Sequence, residues 1–366
     1  MTLYLSLTHN CQLRCNYCYA GDKYHKPMSK ETILKTIEFT LKMPMQELNF
    51  GFFGGEPLME WELLQFATYE MEREAEKKSI KLRKNFTTNG LLLNKEKVQW
   101  LKKHEFYIVI SLDGNEAMHN THRLYSNTQG SFQDVIRGIK ELQKVYKEGE
   151  YTINTVVTPK NIHHLLPSVK YIHKNLGIKD IHLALNYFTE WEDETEIYKK
   201  AYHEVGQYAI EQYKKNIPLN LDIIDGKIRT LTEGNCSVCT FGELKIAVAP
   251  SGNIYPCERL IGEDTEALSI GDVYQGFDKS KREKLISERG NTNEECKTCP
   301  LKERCTNSCG CTNYTLTNSI NTADGTLCFF QKLFIEVADT VASTLYEEKN
   351  KMFMEKFYGE NNNLVG

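Results

Sequence analysis

The sequence predicts an α/β fold: a parallel sheet built from six strand–helix units, with a small cysteine-rich region behind it. Three observations carry that expectation. Apolar runs of strand length alternate with amphipathic runs of helix length from residue 2 to residue 215, the pattern of βα units joined by right-handed crossovers. Glycines, polar residues and cysteines collect where the strands end. The twelve cysteines fall into two groups, three at positions 11–18 and nine from Cys236 to Cys328.

Thr2 to Thr8 is the first predicted strand, and the loop Cys11-Gln-Leu-Arg-Cys15-Asn-Tyr-Cys18 follows it. Ser29 is placed to cap a helix over 30–43. The second strand, 47–53, ends in Gly54-Gly55-Glu56-Pro57 and precedes a helix over 61–79. The third, 80–88, ends in Thr87-Thr88-Asn89-Gly90, with a helix over 95–104 behind it. The fourth, 106–112, runs into Asp113-Gly114, with a helix over 131–148. Strands over 151–158 and 181–188 complete the series, followed by a helix after Asn161 and a long polar helix over 193–215. Gly-Gly and Asn-Gly are ordinary turn chemistry. Their shared position at strand C-termini singles them out, because that face carries the active site of a β/α barrel.

The formal charge of −4 over 366 residues gives no basic surplus for nucleic acid or an anionic membrane. The N-terminus has no basic start, apolar core or small-residue cleavage site, and no apolar run is long enough to span a bilayer. The expected location is the cytoplasm, where cysteines serve as metal ligands more often than as disulfides.

Cys11, Cys15 and Cys18 have the spacing C-x3-C-x2-C. Three thiolates in one loop leave a metal site with an open position, and a cubane held this way has one iron free. The later group runs Cys236-x2-Cys239, Gly252-x4-Cys257, Cys296-x2-Cys299-x5-Cys305-x3-Cys309, then Cys311 and Cys328. Ile246 to Cys257 reads as a β-hairpin that delivers Cys257 at a strand end. Paired Cys-x2-Cys knuckles also suit zinc, so spacing alone leaves zinc and iron–sulfur both open.

The triplet Cys11, Cys15, Cys18 followed by Gly54-Gly55-Glu56-Pro57 resembles the radical S-adenosylmethionine superfamily over residues 1–230. The resemblance implies a partial (β/α)6 TIM-like barrel. It implies a [4Fe–4S] cluster whose open iron chelates the methionine end of S-adenosyl-L-methionine, and cleavage to a 5′-deoxyadenosyl radical that abstracts hydrogen from substrate. It further implies cofactor contacts from Gly54, Gly55 and Glu56 to the ammonium, from Ser111 to the ribose or carboxylate, and from Arg123 as a carboxylate clamp. Asn154, a polar residue inside an apolar strand, is a further candidate for cofactor contact, with a barrel-lining hydrogen bond as its alternative, and Tyr17 packs beside adenine. Residues 231–335 resemble the SPASM domain, which binds two auxiliary [4Fe–4S] clusters. By position, Cys239, Cys257 and Cys309 would hold the first, with Cys236 as the fourth ligand. Cys296, Cys299, Cys305 and Cys328 would hold the second, for three clusters in all. Cys311 is left as a spare buried thiol. Residues 336–366 are expected as a C-terminal helix with a polar tail.

SPASM enzymes act mostly on peptides and proteins, so the resemblance implies an oxidoreductase with a peptide or protein substrate and a reductant such as flavodoxin or ferredoxin. The favoured reading is maturation of a ribosomally made peptide by a thioether or carbon–carbon crosslink. With only ten residues before Cys11, a separate leader-binding protein is one expected partner. The alternative is anaerobic sulfatase maturation to formylglycine. There an Asp follows the hairpin cysteine as candidate base, where this chain has Glu258. A non-catalytic, metal-stabilised interaction protein is the alternative of another class. It predicts four ligands at every site, and the three-cysteine loop argues against it.

Overall fold

The computed structural model describes residues 1–192, 194–232, 239–290 and 292–359. In chain order the first elements are β1 (Thr2–Ser6), α1 (Lys30–Thr40), β2 (Glu47–Phe53), α2 (Trp61–Lys77), β3 (Lys81–Thr88), α3 (Lys95–Lys103) and β4 (Phe106–Ser111). Next come α4 (Glu116–His119), α5 (Phe132–Gln143), β5 (Tyr151–Val157), α6 (Leu165–Lys170), β6 (Asp180–Leu185) and α7 (Thr195–Lys214). Then follow β7 (Asn220–Leu221), α8 (Asp222–Thr232), β8 (Lys245–Val248), β9 (Ile254–Tyr255) and α9 (Lys279–Ser287). The last are α10 (Glu294–Lys297), α11 (Gly310–Thr317), α12 (Gly325–Glu347) and α13 (Lys351–Tyr358). None of the described helices is long and apolar enough to cross a membrane.

The predicted strands and helices form close to where the sequence puts them. Ser29 caps α1 as expected, its hydroxyl accepting the Thr32 N–H at 3.0 Å. α1 stops at Thr40 rather than residue 43. Pro44 follows Met43, and a residue before proline is pushed out of the helical region.

The chain divides into two compact units, Met1–Leu112 with His122–Tyr151 and Thr240–Arg289, and Asp113–Thr121 with Thr152–Cys239 and Gly290 onward. In the first unit, β1, β2, β3 and β4 pair parallel in chain order. Leu3, Leu5, Leu48, Phe50, Phe52, Phe86, Ile108 and Ile110 are wholly buried along them, and they alternate with half-buried or exposed residues such as Tyr4, Asn49 and Tyr107, so one face of each strand carries this core. The predicted hairpin forms, with β8 antiparallel to β9. It also does something the sequence does not announce. β8 pairs parallel with β1, Leu3 opposite Ile246 and Leu5 opposite Val248. The cysteine-rich region therefore begins as a further strand beside the first one.

The second unit pairs β5, β6 and β7 in parallel. Its core forms where α12 meets α7. Phe330 sits 4.5 Å from Trp191 and 5.8 Å from Tyr198, while Phe334 lies 4.9 Å from Tyr202, centroid to centroid. Burying an aromatic of this size stabilises by about 1.5–3 kcal/mol. α12 is one helix from Gly325 to Glu347, running through position 336 and carrying Cys328 in its first turn. Beyond it α13 is tied down, with Lys356 3.0 Å from Asp225 and the Asn350 amide donating to the Tyr213 carbonyl at 3.1 Å. Cys236 and the expected polar tail lie outside the described residues.

Candidate functional site

The three-cysteine loop leaves β1 and is braced from two sides. The Arg14 N–H donates to the Leu124 carbonyl at 2.7 Å, and the Arg14 guanidinium to the Cys11 carbonyl at 2.7 Å. On the other side lies the turn after β2. The Gly55 N–H donates to Thr8 O and the Glu56 N–H to Asn10 O, both at 2.8 Å. This approach explains the glycine pair. A Cβ on Gly55 would lie 2.0 Å from Asn10 O, and one on Gly54, where φ is +122°, 2.5 Å from the Ser6 hydroxyl. Neither position tolerates a side chain. The glycines hold the turn against the stem of the cysteine loop.

Glu56 is wholly enclosed and already has three donors. Its Oε1 accepts from Leu58 N–H at 3.1 Å and from the Thr88 hydroxyl at 2.9 Å, and its Oε2 from Asn89 N–H at 2.7 Å. Burial pushes its carboxyl up to about 7, while those donors pull it back. Its observed work is to lock the end of β3 to the turn after β2. Asn89, at that strand end, then reaches the cysteine loop, donating to Cys11 Sγ at 3.6 Å and to Gln12 Oε1 at 3.2 Å. Burial first, and Glu56 second, push the Cys11 thiol up. The Cys18 sulfur is 3.3 Å from the Lys23 ammonium. Asn89 and Lys23 are contacts that sequence reasoning missed. Asn89-Gly90 reads as turn chemistry, and a loop lysine carries no pattern.

Arg123 and Tyr17 come together beside the same loop. The guanidinium lies over the Tyr17 ring, 5.4 Å from its centroid, and His122 is 5.2 Å from that ring. Arg123 is buried, so this is no solvated loop arginine. Ser111 closes β4 in the first unit. Asn154 belongs to the second unit, on the half-buried face of β5 opposite His182.

The later cysteines divide between the units. Cys257 follows β9 in the first unit, where its thiol donates to Glu258 at 3.4 Å. Glu258 is ion-paired with Lys245 at 3.0 Å. Burial pulls the Lys245 ammonium down, but Glu258 and Cys257 push it up further. In the second unit, Cys309 stands just before α11. Hydrogen bonds from Cys239 and then Cys311 hold its thiol well below the ordinary range. Cys311 is buried as expected, its sulfur 3.6 Å from that of Cys309. Cys296, Cys299, Cys305 and Cys328 line one cavity with Gln331 and Leu327.

Among the described residues, no three His, Cys, Asp or Glu side chains converge as on a single metal ion. A cubane binds each thiolate at a different iron, so its ligands do not need a common point. The four cysteines around one cavity are a donor set that fits such a group, and the three on the first loop fit one with an open iron.

The model of the Radical SAM superfamily matches residues 5–172. A cysteine-type anaerobic sulfatase-maturating enzyme of Clostridium perfringens is 24% identical over 327 residues, spanning 82% of this chain and 85% of that one. The solved structure of native anSMEcpe with bound AdoMet superposes with a TM-score of 0.79 at 21% identity, over 95% of this chain and 99% of that one. Streptococcus suis SuiB bound to its precursor peptide SuiA gives 0.61 at 16% identity, over 89% and 75%. Both likenesses bear on the fold, a partial barrel of parallel strands.

Proposed function

This chain belongs to the radical S-adenosylmethionine superfamily, and from that premise we propose that it modifies a peptide, joining two of its residues by a thioether or carbon–carbon bond. Cys11, Cys15 and Cys18 hold the cluster that binds S-adenosylmethionine. Bound and reduced, that cluster supplies the electron for sulfonium cleavage and hence the 5′-deoxyadenosyl radical that takes hydrogen from the peptide. Arg123 clamps the methionine carboxylate, with Tyr17 beside the adenine and Ser111 near the ribose. The backbone of Gly54 and Gly55 receives the ammonium, and Asn154 is a further cofactor contact. Cys236, Cys239, Cys257 and Cys309 hold one auxiliary cluster and Cys296, Cys299, Cys305 and Cys328 another, three clusters in all. A flavodoxin or ferredoxin reduces them.

The observation that carries the crosslinking reading is the Lys245–Glu258 pair at 3.0 Å. Formylglycine formation assigns the position after the hairpin cysteine to a base. Here a proton on Glu258 would leave a largely buried ammonium without its anion, a costly arrangement. A second reading, sulfatase maturation, is favoured by the likeness to a sulfatase-maturating enzyme along 82% of this chain.

One experiment separates them. The anaerobically reconstituted enzyme, S-adenosylmethionine and dithionite are incubated with a cysteine-containing precursor peptide or with a sulfatase active-site peptide. Products are read by mass spectrometry. A crosslink retains the sulfur and removes two hydrogens. Formylglycine made from cysteine exchanges sulfur for oxygen and also loses two hydrogens. Modification of the sulfatase peptide alone would overturn the crosslinking reading.

A further inference from the structure

Two neighbouring carboxylates, Glu263 and Asp264, are charged groups that the proposed chemistry does not use. They follow Cys257 closely in the chain and lie in the first unit. Asp264 reaches the hairpin. Its Oδ2 accepts the Ser251 N–H at 3.1 Å, and its Oδ1 accepts the Ser251 hydroxyl at 2.8 Å and the Asn253 amide at 3.3 Å. Those donors form the turn between β8 and β9, the strand pair that delivers Cys257. Only 7% of the Asp264 side chain is exposed.

The same pair reaches both ends of the three-cysteine loop. Before the first cysteine, the buried His9 ring has its Nε2 4.0 Å from Asp264 Oδ2. That ring stacks on Tyr24, 4.7 Å between centroids. Beyond the last cysteine, Glu263 Oε1 accepts the Asp22 N–H at 2.7 Å. Gly21 makes room for it: its φ is +65°, and a Cβ there would lie 2.1 Å from that oxygen. Cys11, Cys15 and Cys18 are thus held between two contacts that come from one dipeptide. The dipeptide is itself set in an uncommon conformation. Asp264 has φ +56°, a region that few residues with a side chain adopt and that persists where the surroundings over-determine it.

We propose that Glu263 and Asp264 are positioning residues that couple two cluster sites: they hold the three-cysteine loop in its binding form and make that form depend on the hairpin that carries Cys257. The inference rests on the cluster assignments above. Packed side chains and hydrogen-bond networks carry coupling of this kind between sites, and hydrogen bonds to an ionised group are the strong ones. With Cys257 ligated, the turn at Ser251 and Asn253 is fixed. The turn fixes Asp264, and the dipeptide then closes on His9 and Asp22 at the two ends of the loop.

The test is amide hydrogen exchange over residues 9–24, read by mass spectrometry on the full chain after anaerobic reconstitution. Wild type and Asp264→Gly are each compared with and without Cys257→Ala. Glycine keeps the left-handed backbone and removes the carboxylate. In the wild-type background Cys257→Ala is expected to speed exchange of the loop about tenfold, the worth of one hydrogen bond to a charged group. In the Asp264→Gly background exchange is already faster by about as much, and Cys257→Ala adds little, because the two changes cut one route. Exchange over β3 and β4 stays as in wild type. An equal effect of Cys257→Ala in both backgrounds overturns the proposal, as does no effect in the wild type. A uniform rise through the first unit overturns it too, leaving the pair a structural tie. If Asp264→Gly does not fold, Glu263→Ala takes its place under the same criteria. Glu263→Gln, which keeps an acceptor for the Asp22 N–H, is expected to behave as wild type. Failure of the underlying assignment looks different: the chain with Cys11, Cys15 and Cys18 all changed to Ala would then bind as much iron as wild type.

Discussion

The Asn89 side-chain amide donates to the Cys11 sulfur at 3.6 Å, while the Asn89 backbone N–H donates to Glu56 at 2.7 Å. One residue therefore couples the turn after β2, the end of β3 and the first cysteine of the loop. Donors to a ligating sulfur stabilise its charge and raise the potential of the cluster it holds.

Asn89→Ala removes that donor. Its expected effect is a lower potential for the cluster at Cys11, Cys15 and Cys18, and 5′-deoxyadenosine formation slowed about tenfold, the worth of one hydrogen bond. Iron content should not change. EPR titration together with product quantitation checks both parts.

Gly55→Ala puts a methyl group 2.0 Å from Asn10 O. The obstacle is backbone, so the turn must move. Overpacking of this kind costs about 1–3 kcal/mol. The variant should unfold at lower denaturant and lose S-adenosylmethionine affinity, seen in denaturation curves and equilibrium dialysis.

Replacing Cys11, Cys15 and Cys18 together with Ala should abolish reductive cleavage of S-adenosylmethionine. About eight irons should remain, since the later cysteines are enough for two cubanes. Continued 5′-deoxyadenosine production under dithionite would contradict the assignment of the loop.

Glu56 gives a pH signature. Its carboxyl is raised from 4.5 to about 7 in the folded chain. Between those values the folded state holds a proton that the unfolded state has released. Stability is therefore fullest below pH 4.5 and falls as pH rises through 7, by roughly 3 kcal/mol from this group. Glu56→Gln should flatten that slope, measured by urea unfolding at a series of pH values.

Much of the first unit was legible because its signals are local. Ser29 caps the helix it was expected to cap, and Gly54-Gly55 falls at the strand end that the apolar run 47–53 requires. Cys296, Cys299, Cys305 and Cys328, grouped by the SPASM resemblance, line one cavity of the second unit. What could not be read was long-range. A strand's periodicity reveals its buried face and not its partner, so the pairing of β8 with β1, separated by more than two hundred residues, left no trace. The hydrogen bonds that hold Glu56 are equally long-range in part, its carboxylate accepting from Thr88 and Asn89 across the sheet as well as from Leu58 nearby.

The pairing of β1 with β8 makes the first strand an interior one. A fragment ending near residue 230 would strip that strand of its neighbour and bare a row of amides and carbonyls along the segment that launches the cysteine loop. Exposed edges of this kind recruit other chains. The C-terminal third is thus not a detachable accessory, and transplanting it onto another barrel would require matching a strand register before any cysteine was aligned.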